Sequence, residues 1–144
     1  MLYFRTGMAR YPWTSGHEWS GVVDTVGEGV ADLKPGDRVI GEVTLSCGKC
    51  EACLAGRPQL CWPRTEVGIT GGYPGAFAEF IRMPARHVLK VPPGVSLREA
   101  AMAEPTAVVL HGTDIMGLRL FYPTTWRNTR RKFAPRIFRI SPAR

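Results

Sequence analysis

Trp19-Ser20-Gly21-Val22-Val23-Asp24-Thr25-Val26 is closed by Gly27-Glu28-Gly29, and Arg38-Val39-Ile40-Gly41-Glu42-Val43 follows the turn Lys34-Pro35-Gly36-Asp37. Valine recurs in both runs, with threonine in the first and isoleucine in the second, and such β-branched side chains suit a pleated strand better than a helix. Working outward, Ala76 to Met83 and His87 to Val91 read as further strands, and Pro92-Pro93-Gly94 stops the series. Short strands punctuated by Gly and Pro predict a mainly β fold, a barrel or sandwich, over residues 1 to about 95.

The chain changes character after that point. Ser96-Leu97-Arg98-Glu99 has the form of a capping box, in which the Ser side chain accepts from the amide of Glu99 and Glu99 reaches back to the amide of Ser96. An Ala-rich turn and Glu104-Pro105 follow, then an apolar helical stretch from Thr106 to about Met116. From Leu118 onward no period of 2 or 3.6 is visible. Aromatic residues, prolines and eight cations without an acidic residue predict a disordered tail over 118–144, behind a domain of residues 1–117. On that reading a chain ending at Gly117 should melt like the full one.

Composition bounds the function. The 144 residues are 44% hydrophobic and 22% charged, values of one ordinary globular domain. The apolar stretches Ala100 to Ala103 and Ala107 to Leu110 are too short to cross a bilayer. The first residues show no secretory signal, so no membrane partner and a cytoplasmic location are expected. The net charge of +7 belongs to the tail, because the first 118 residues hold eleven basic residues against all twelve acidic ones. Nucleic-acid binding through the tail is one alternative function, but a slightly acidic domain offers no binding face.

All four cysteines fall within fifteen residues, as Cys47-Gly48-Lys49-Cys50-Glu51-Ala52-Cys53 and then Cys61. Four thiolates close a tetrahedral shell around Zn²⁺, and two-residue gaps let the chain wrap so that successive sulfurs face one point. Gly48 and Gly56 permit the tight backbone, and Lys49, Arg57 and Arg64 partly offset the thiolate charge. Two disulfides fit poorly with the expected compartment. An iron–sulfur pattern would place the fourth Cys after three residues, not seven. The expected metal is a structural zinc.

Gly16-His17-Glu18-Trp19-Ser20-Gly21-Val22-Val23, Gly36-Asp37-Arg38-Val39, the four-Cys lobe and Ala103-Glu104-Pro105 occur in the order and spacing of the zinc-containing medium-chain alcohol dehydrogenases, which this chain resembles over residues 8 to 117. The resemblance implies a GroES-like β-barrel catalytic domain with a zinc lobe and a short helical edge, joined in the family to a Rossmann domain. It implies a structural zinc on Cys47, Cys50, Cys53 and Cys61, and a catalytic zinc on His17, with Glu18 beside it and Glu104 at the position where polyol- and threonine-dehydrogenase-like members carry Glu. It also implies NAD(P) as the cofactor of the full-length enzyme, and a small alcohol or carbonyl as substrate. His87 and His111 match no ligand position in that pattern.

Two departures shape the remaining expectations. The family's catalytic zinc uses a Cys upstream of the Gly-His-Glu motif, and no Cys precedes His17 here. No Gly-x-Gly-x-x-Gly follows residue 117. The chain is therefore expected to be a fragment without the Rossmann domain. A weakened catalytic zinc, no NAD(P) binding and at most weak activity alone should follow. A frameshifted end or an interaction tail would account for 118–144. A non-catalytic structural zinc module is the other alternative, and a homo-oligomer is compatible with the sequence.

Overall fold

The structure is a computed structural model and describes residues 12–70, 72–116 and 137–142. Two antiparallel sheets carry it. The larger contains β1 (Ser20–Val26), β2 (Arg38–Gly41), β5 (Ile81–Pro84), β6 (Val88–Lys90) and β7 (Ile137–Pro142), in the order β5-β7-β1-β2-β6. The smaller pairs β3 (Thr44–Leu45) with β4 (Thr65–Glu66). Between β3 and β4 the chain leaves the sheets to form a lobe with α1 (Glu51–Leu54) and a 3₁₀ turn at Pro58–Leu60. α2 (Leu97–Ala100) and α3 (Ala103–Ile115) close the domain at one edge.

The strands sit where the β-branched runs predicted them, but they are shorter. β2 ends at Gly41, and the ring of Trp19 lies across that residue; a Cβ at Gly41 would come 2.1 Å from Trp19 Cζ2. The segment Ala76 to Met83 becomes a strand only at Ile81. Its first residues instead run beside residues 14–16: the amides of Gly75, Ala76 and Phe77 donate to the carbonyls of Thr14, Gly16 and Ser15. Alternation places Val23 of β1 and Ile81 and Met83 of β5 inward. They join Trp19, Leu33, Val39, Leu45, Val67 and Val88 in one core.

The helical edge begins as the capping box predicts, with Ser96 Oγ accepting from the Glu99 amide at 3.2 Å and Glu99 Oε2 accepting from the Ser96 amide at 2.8 Å. α3 starts at Ala103 and not at Thr106. Glu104 and Pro105 therefore occupy its first turn, where a missing proline N–H leaves no helical bond unmade.

The largest correction concerns the tail. Within 118–144, expected to be disordered, Ile137–Pro142 form β7 in the middle of the large sheet. β7 pairs with β1 over Gly21 to Val26 and with β5 over Ile81 to Pro84, antiparallel to both. Each of those strands would otherwise present an unpaired edge, and ladder bonds to two edges override the tail's unfavourable composition. A six-residue strand is also too short to show a period inside a basic, Pro-containing stretch. Residues 118–136 and the pair 143–144 lie outside the described residues. No described helix is long and apolar enough to cross a membrane.

Candidate metal centres

Two groups of ligand side chains come together among the described residues. Cys47, Cys50, Cys53 and Cys61 form one, and His17, Glu18 and Glu104 the other. Within each group the ligand atoms all lie within 4.8 Å of one another. Both match the residues singled out from the sequence.

The cysteine group is held by local geometry. The Cys47–Cys53 and Cys50–Cys53 sulfurs are 4.0 and 3.5 Å apart. These separations are far beyond a disulfide bond of about 2.05 Å. They bracket the ~3.8 Å edge of a tetrahedron whose Zn–S bonds are ~2.3 Å. Backbone amides point at the sulfurs: Cys50 N–H donates to Cys47 Sγ and Cys47 N–H to Cys61 Sγ, each at 3.3 Å. Such bonds stabilise thiolates, the form that binds metal. The donor set therefore fits zinc.

The four thiols do not ionise alike. Amide donation from Lys49 and Cys50 lowers the Cys47 thiol to about 6, against a burial effect that opposes it. Cys61 is fully buried. The Cys47 amide favours its thiolate, but burial and the other three sulfurs outweigh that donor and push its pKa up to about 12. For Cys53 burial acts upward, yet bonds from the Cys50 thiol, the Gly48 amide and the Ser46 hydroxyl bring it down.

The second group is assembled from distant parts of the chain. His17 and Glu18 stand just before β1, and residues 15–16 are fixed by the backbone of 68 and 75. A Cβ on Gly68 would come 2.3 Å from the Gly16 carbonyl oxygen, so the chains cross at a distance only glycine allows. Gly16 itself has φ 99°, which favours glycine, and Phe77 packs against it. Glu104 arrives from the other end. Ser20 Oγ donates to the Leu97 carbonyl at 2.6 Å, and Arg38 Nη2 donates to the Val95 carbonyl, so β1 and β2 hold the segment that leads into α3. His17 and Glu104 are half-buried and Glu18 is exposed. One imidazole and two carboxylates form a mixed nitrogen and oxygen donor set of the kind that catalytic zinc accepts.

His111 is exposed on α3 and belongs to neither group. His87, expected to open a strand, lies instead in the 3₁₀ turn Ala85–His87 just before β6, and it belongs to neither ligand group. It is buried, and its Nδ1 lies 2.6 Å from Glu42 Oε2. Arg86 joins it there, with Nη2 donating to the Ser46 carbonyl at 2.6 Å. The sequence carried one faint signal for these residues, adjacent Arg and His at a strand start; their partners lie forty or more positions away.

Residues 2–93 match the alcohol dehydrogenase GroES-like domain. The chain belongs to that family. L-Threonine 3-dehydrogenase of Streptomyces coelicolor is 46% identical to this GroES-like chain over 102 residues, covering 71% of the chain and 29% of the relative. The crystal structure of galactitol-1-phosphate dehydrogenase from Escherichia coli superposes with a TM-score of 0.71 at 36% identity, covering 78% of this chain and 32% of the other. An alcohol dehydrogenase from Escherichia coli CFT073, solved with NADH, gives 0.69 at 34% identity, covering 79% and 33%. The chain thus spans about a third of the length of these dehydrogenases. It corresponds to the catalytic-domain region of a medium-chain alcohol and threonine dehydrogenase family.

Proposed function

We propose that this chain is the zinc-bearing catalytic domain of an NAD(P)-dependent dehydrogenase acting on a small secondary alcohol, polyol or matching carbonyl. The observation that carries the reading is the convergence of His17, Glu18 and Glu104, brought within one ion's reach from opposite ends of the domain. Cys47, Cys50, Cys53 and Cys61 would hold a zinc that fixes the lobe, with no position left for substrate. His17, Glu18 and Glu104 would hold a second, and zinc there supplies Lewis acidity toward a substrate oxygen.

The chain's own residues then have defined tasks. The His17 imidazole offers a neutral nitrogen, while the two carboxylates offer anionic oxygen and offset the cation's charge. Glu18, being exposed, is the ligand most open to exchange with solvent. The glycine crossing at residues 16 and 68 keeps His17 from drifting, and the bonds from Ser20 and Arg38 to residues 97 and 95 hold the segment that leads to Glu104. Hydride acceptance belongs to a nicotinamide cofactor, and alignment of the two reactants is worth ~7–11 kcal/mol of barrier. The isolated chain should therefore show no NAD(P)-linked alcohol oxidation and no saturable cofactor binding.

Fusing the chain to the cofactor-binding remainder of a close relative tests the assignment. The fusion should oxidise an alcohol of the relative's class, and His17→Ala should abolish turnover while the cysteine-bound zinc stays in place. Retained turnover in the His17→Ala fusion would remove this residue from the site.

A further inference from the structure

Ser46 opens the cysteine lobe and directly precedes the backbone that serves two of the four sulfurs. The Cys47 amide donates to Cys61 Sγ and the Cys50 amide to Cys47 Sγ, each at 3.3 Å. A shift of this segment by a fraction of an ångström would misalign both of these bonds together. The segment lies at the junction of lobe and sheet, just beyond the two-residue strand β3. That strand offers little restraint of its own.

The restraint comes from the 3₁₀ turn Ala85–His87 between β5 and β6, through two residues that match no ligand position. Arg86 Nη2 donates to the Ser46 carbonyl at 2.6 Å, and Arg86 Nε donates to His87 Nε2 at 3.0 Å. His87 Nε2 is then the acceptor, so the proton of the neutral ring sits on Nδ1, where it is donated to Glu42 Oε2 at 2.6 Å. The Glu42 amide donates in turn to the His87 carbonyl at 2.8 Å, tying the pair to the residue that follows β2. His87 Nε2 also approaches the Ser46 carbonyl at 3.3 Å. Both atoms are acceptors in this tautomer, and the Arg86 fork bridges them. Ser46 meets the ring through its backbone carbonyl, so the trio of Ser46, His87 and Glu42 is no nucleophilic relay.

We propose that Arg86, locked by His87 and Glu42, is a positioning residue for the four-cysteine metal site: it clamps Ser46 and so aligns the donors that stabilise the bound thiolates. The proposal rests on the reading of that lobe as a zinc site. Partners that orient metal ligands in this way are worth about 10- to 100-fold in metal affinity. The aliphatic part of Arg86 adds little to the core, whose members lie elsewhere. The clamp therefore acts on the lobe and not on the sheet.

The test uses the full chain loaded with zinc, and then with cobalt as a spectroscopic probe. Release of zinc to an excess of a chromogenic chelator should be at least tenfold faster from Arg86→Ala than from the wild type. Arg86→Lys, which can reach the Ser46 carbonyl but cannot also meet His87 Nε2, should fall between. The sulfur-to-cobalt absorption bands should shift in Arg86→Ala and return toward wild type in Arg86→Lys. The melting temperature of the metal-free chain should fall equally in Arg86→Ala and Arg86→Lys, because both leave the buried His87 Nε2 without its donor, whereas zinc release should differ between them. Equal release rates and unshifted bands would overturn the clamp while leaving the zinc site intact. A wild-type chain that binds no zinc would overturn the four-cysteine reading and the clamp with it.

Discussion

Cys47 and Cys61 show how far one residue type can be driven apart by its surroundings. Amide donors lower the first to about 6, and burial among sulfurs pushes the second to about 12. In the metal-free chain iodoacetamide at neutral pH should label Cys47 well before Cys61, read by peptide mass mapping. Equal labelling would refute that ordering. The stability linkage follows from the signs. A thiol lowered from 9.0 to about 6 contributes fully above 9.0 and loses its contribution as pH falls toward 6. A thiol raised to about 12 contributes fully below 9.0 and loses its contribution as pH rises from 9.0 through about 12. The apo lobe should therefore loosen between pH 9 and 6 as Cys47 gains its proton, and bound zinc should leave at still lower pH because protons then compete for the sulfurs. Gly41 is a second residue-scale constraint. Gly41→Ala would drive a methyl into Trp19, which follows Glu18, and such overpacking costs about 1–3 kcal/mol. Denaturant unfolding would show it, and an unchanged midpoint would mean that Trp19 moves freely. The four cysteines were legible in the sequence because their spacing is itself the geometry. Arg86, His87 and Glu42 were not, because nothing local joins residues 40 or more positions apart.

At the scale of elements, the capping box was readable because it is confined to four consecutive residues. Ser96 Oγ accepts from the Glu99 amide and donates to Glu99 Oε2 at 2.7 Å, and these bonds from Ser96 hold the Glu99 carboxyl below its ordinary range. A lowered carboxyl contributes stability above 4.5 and loses it as pH falls through the lowered value. Ser96→Ala should cost ~1 kcal/mol of stability and weaken that acid dependence, the part due to the residue-96 amide remaining. Because α2 leads into the turn bearing Glu104, the same change should loosen metal at His17, Glu18 and Glu104 more than metal at the cysteines. Equal loosening at both centres would count against this coupling. Strand boundaries were harder to read than strand existence. The Ala76 to Met83 run is β-like in composition, yet its first half spends its amides on residues 14–16. Only the tertiary crossing at Gly16, Gly68 and Gly75 decides that use.

The whole molecule reverses one expectation drawn from composition. β7 comes from the basic tail and joins β1 to β5, so the tail contributes to the sheet. A chain ending at Arg136 should melt lower than the full chain by about 5–10 °C, the shift that a loss on the order of 2 kcal/mol produces at this size. An unchanged melting temperature would show that β7 adds nothing to the fold. Val108, Val109, Ile115 and Met116 of the α3 region are more than 60% exposed, so much of its apolar surface is uncovered among the described residues. The family was legible because its motifs are short, ordered and close to the residues that bind. The strand was illegible because its partners are more than fifty positions away. The functional account stands on two separate metal centres in one small domain, and native mass spectrometry of the zinc-loaded chain tests that directly. Wild type should carry one zinc that survives mild chelation and a second that is lost first. His17→Ala should keep the first and lack the second, and Cys47→Ser with Cys50→Ser should lose the first. Iron in the cysteine lobe, a metal-free wild type, or two zincs undiminished by His17→Ala would contradict it.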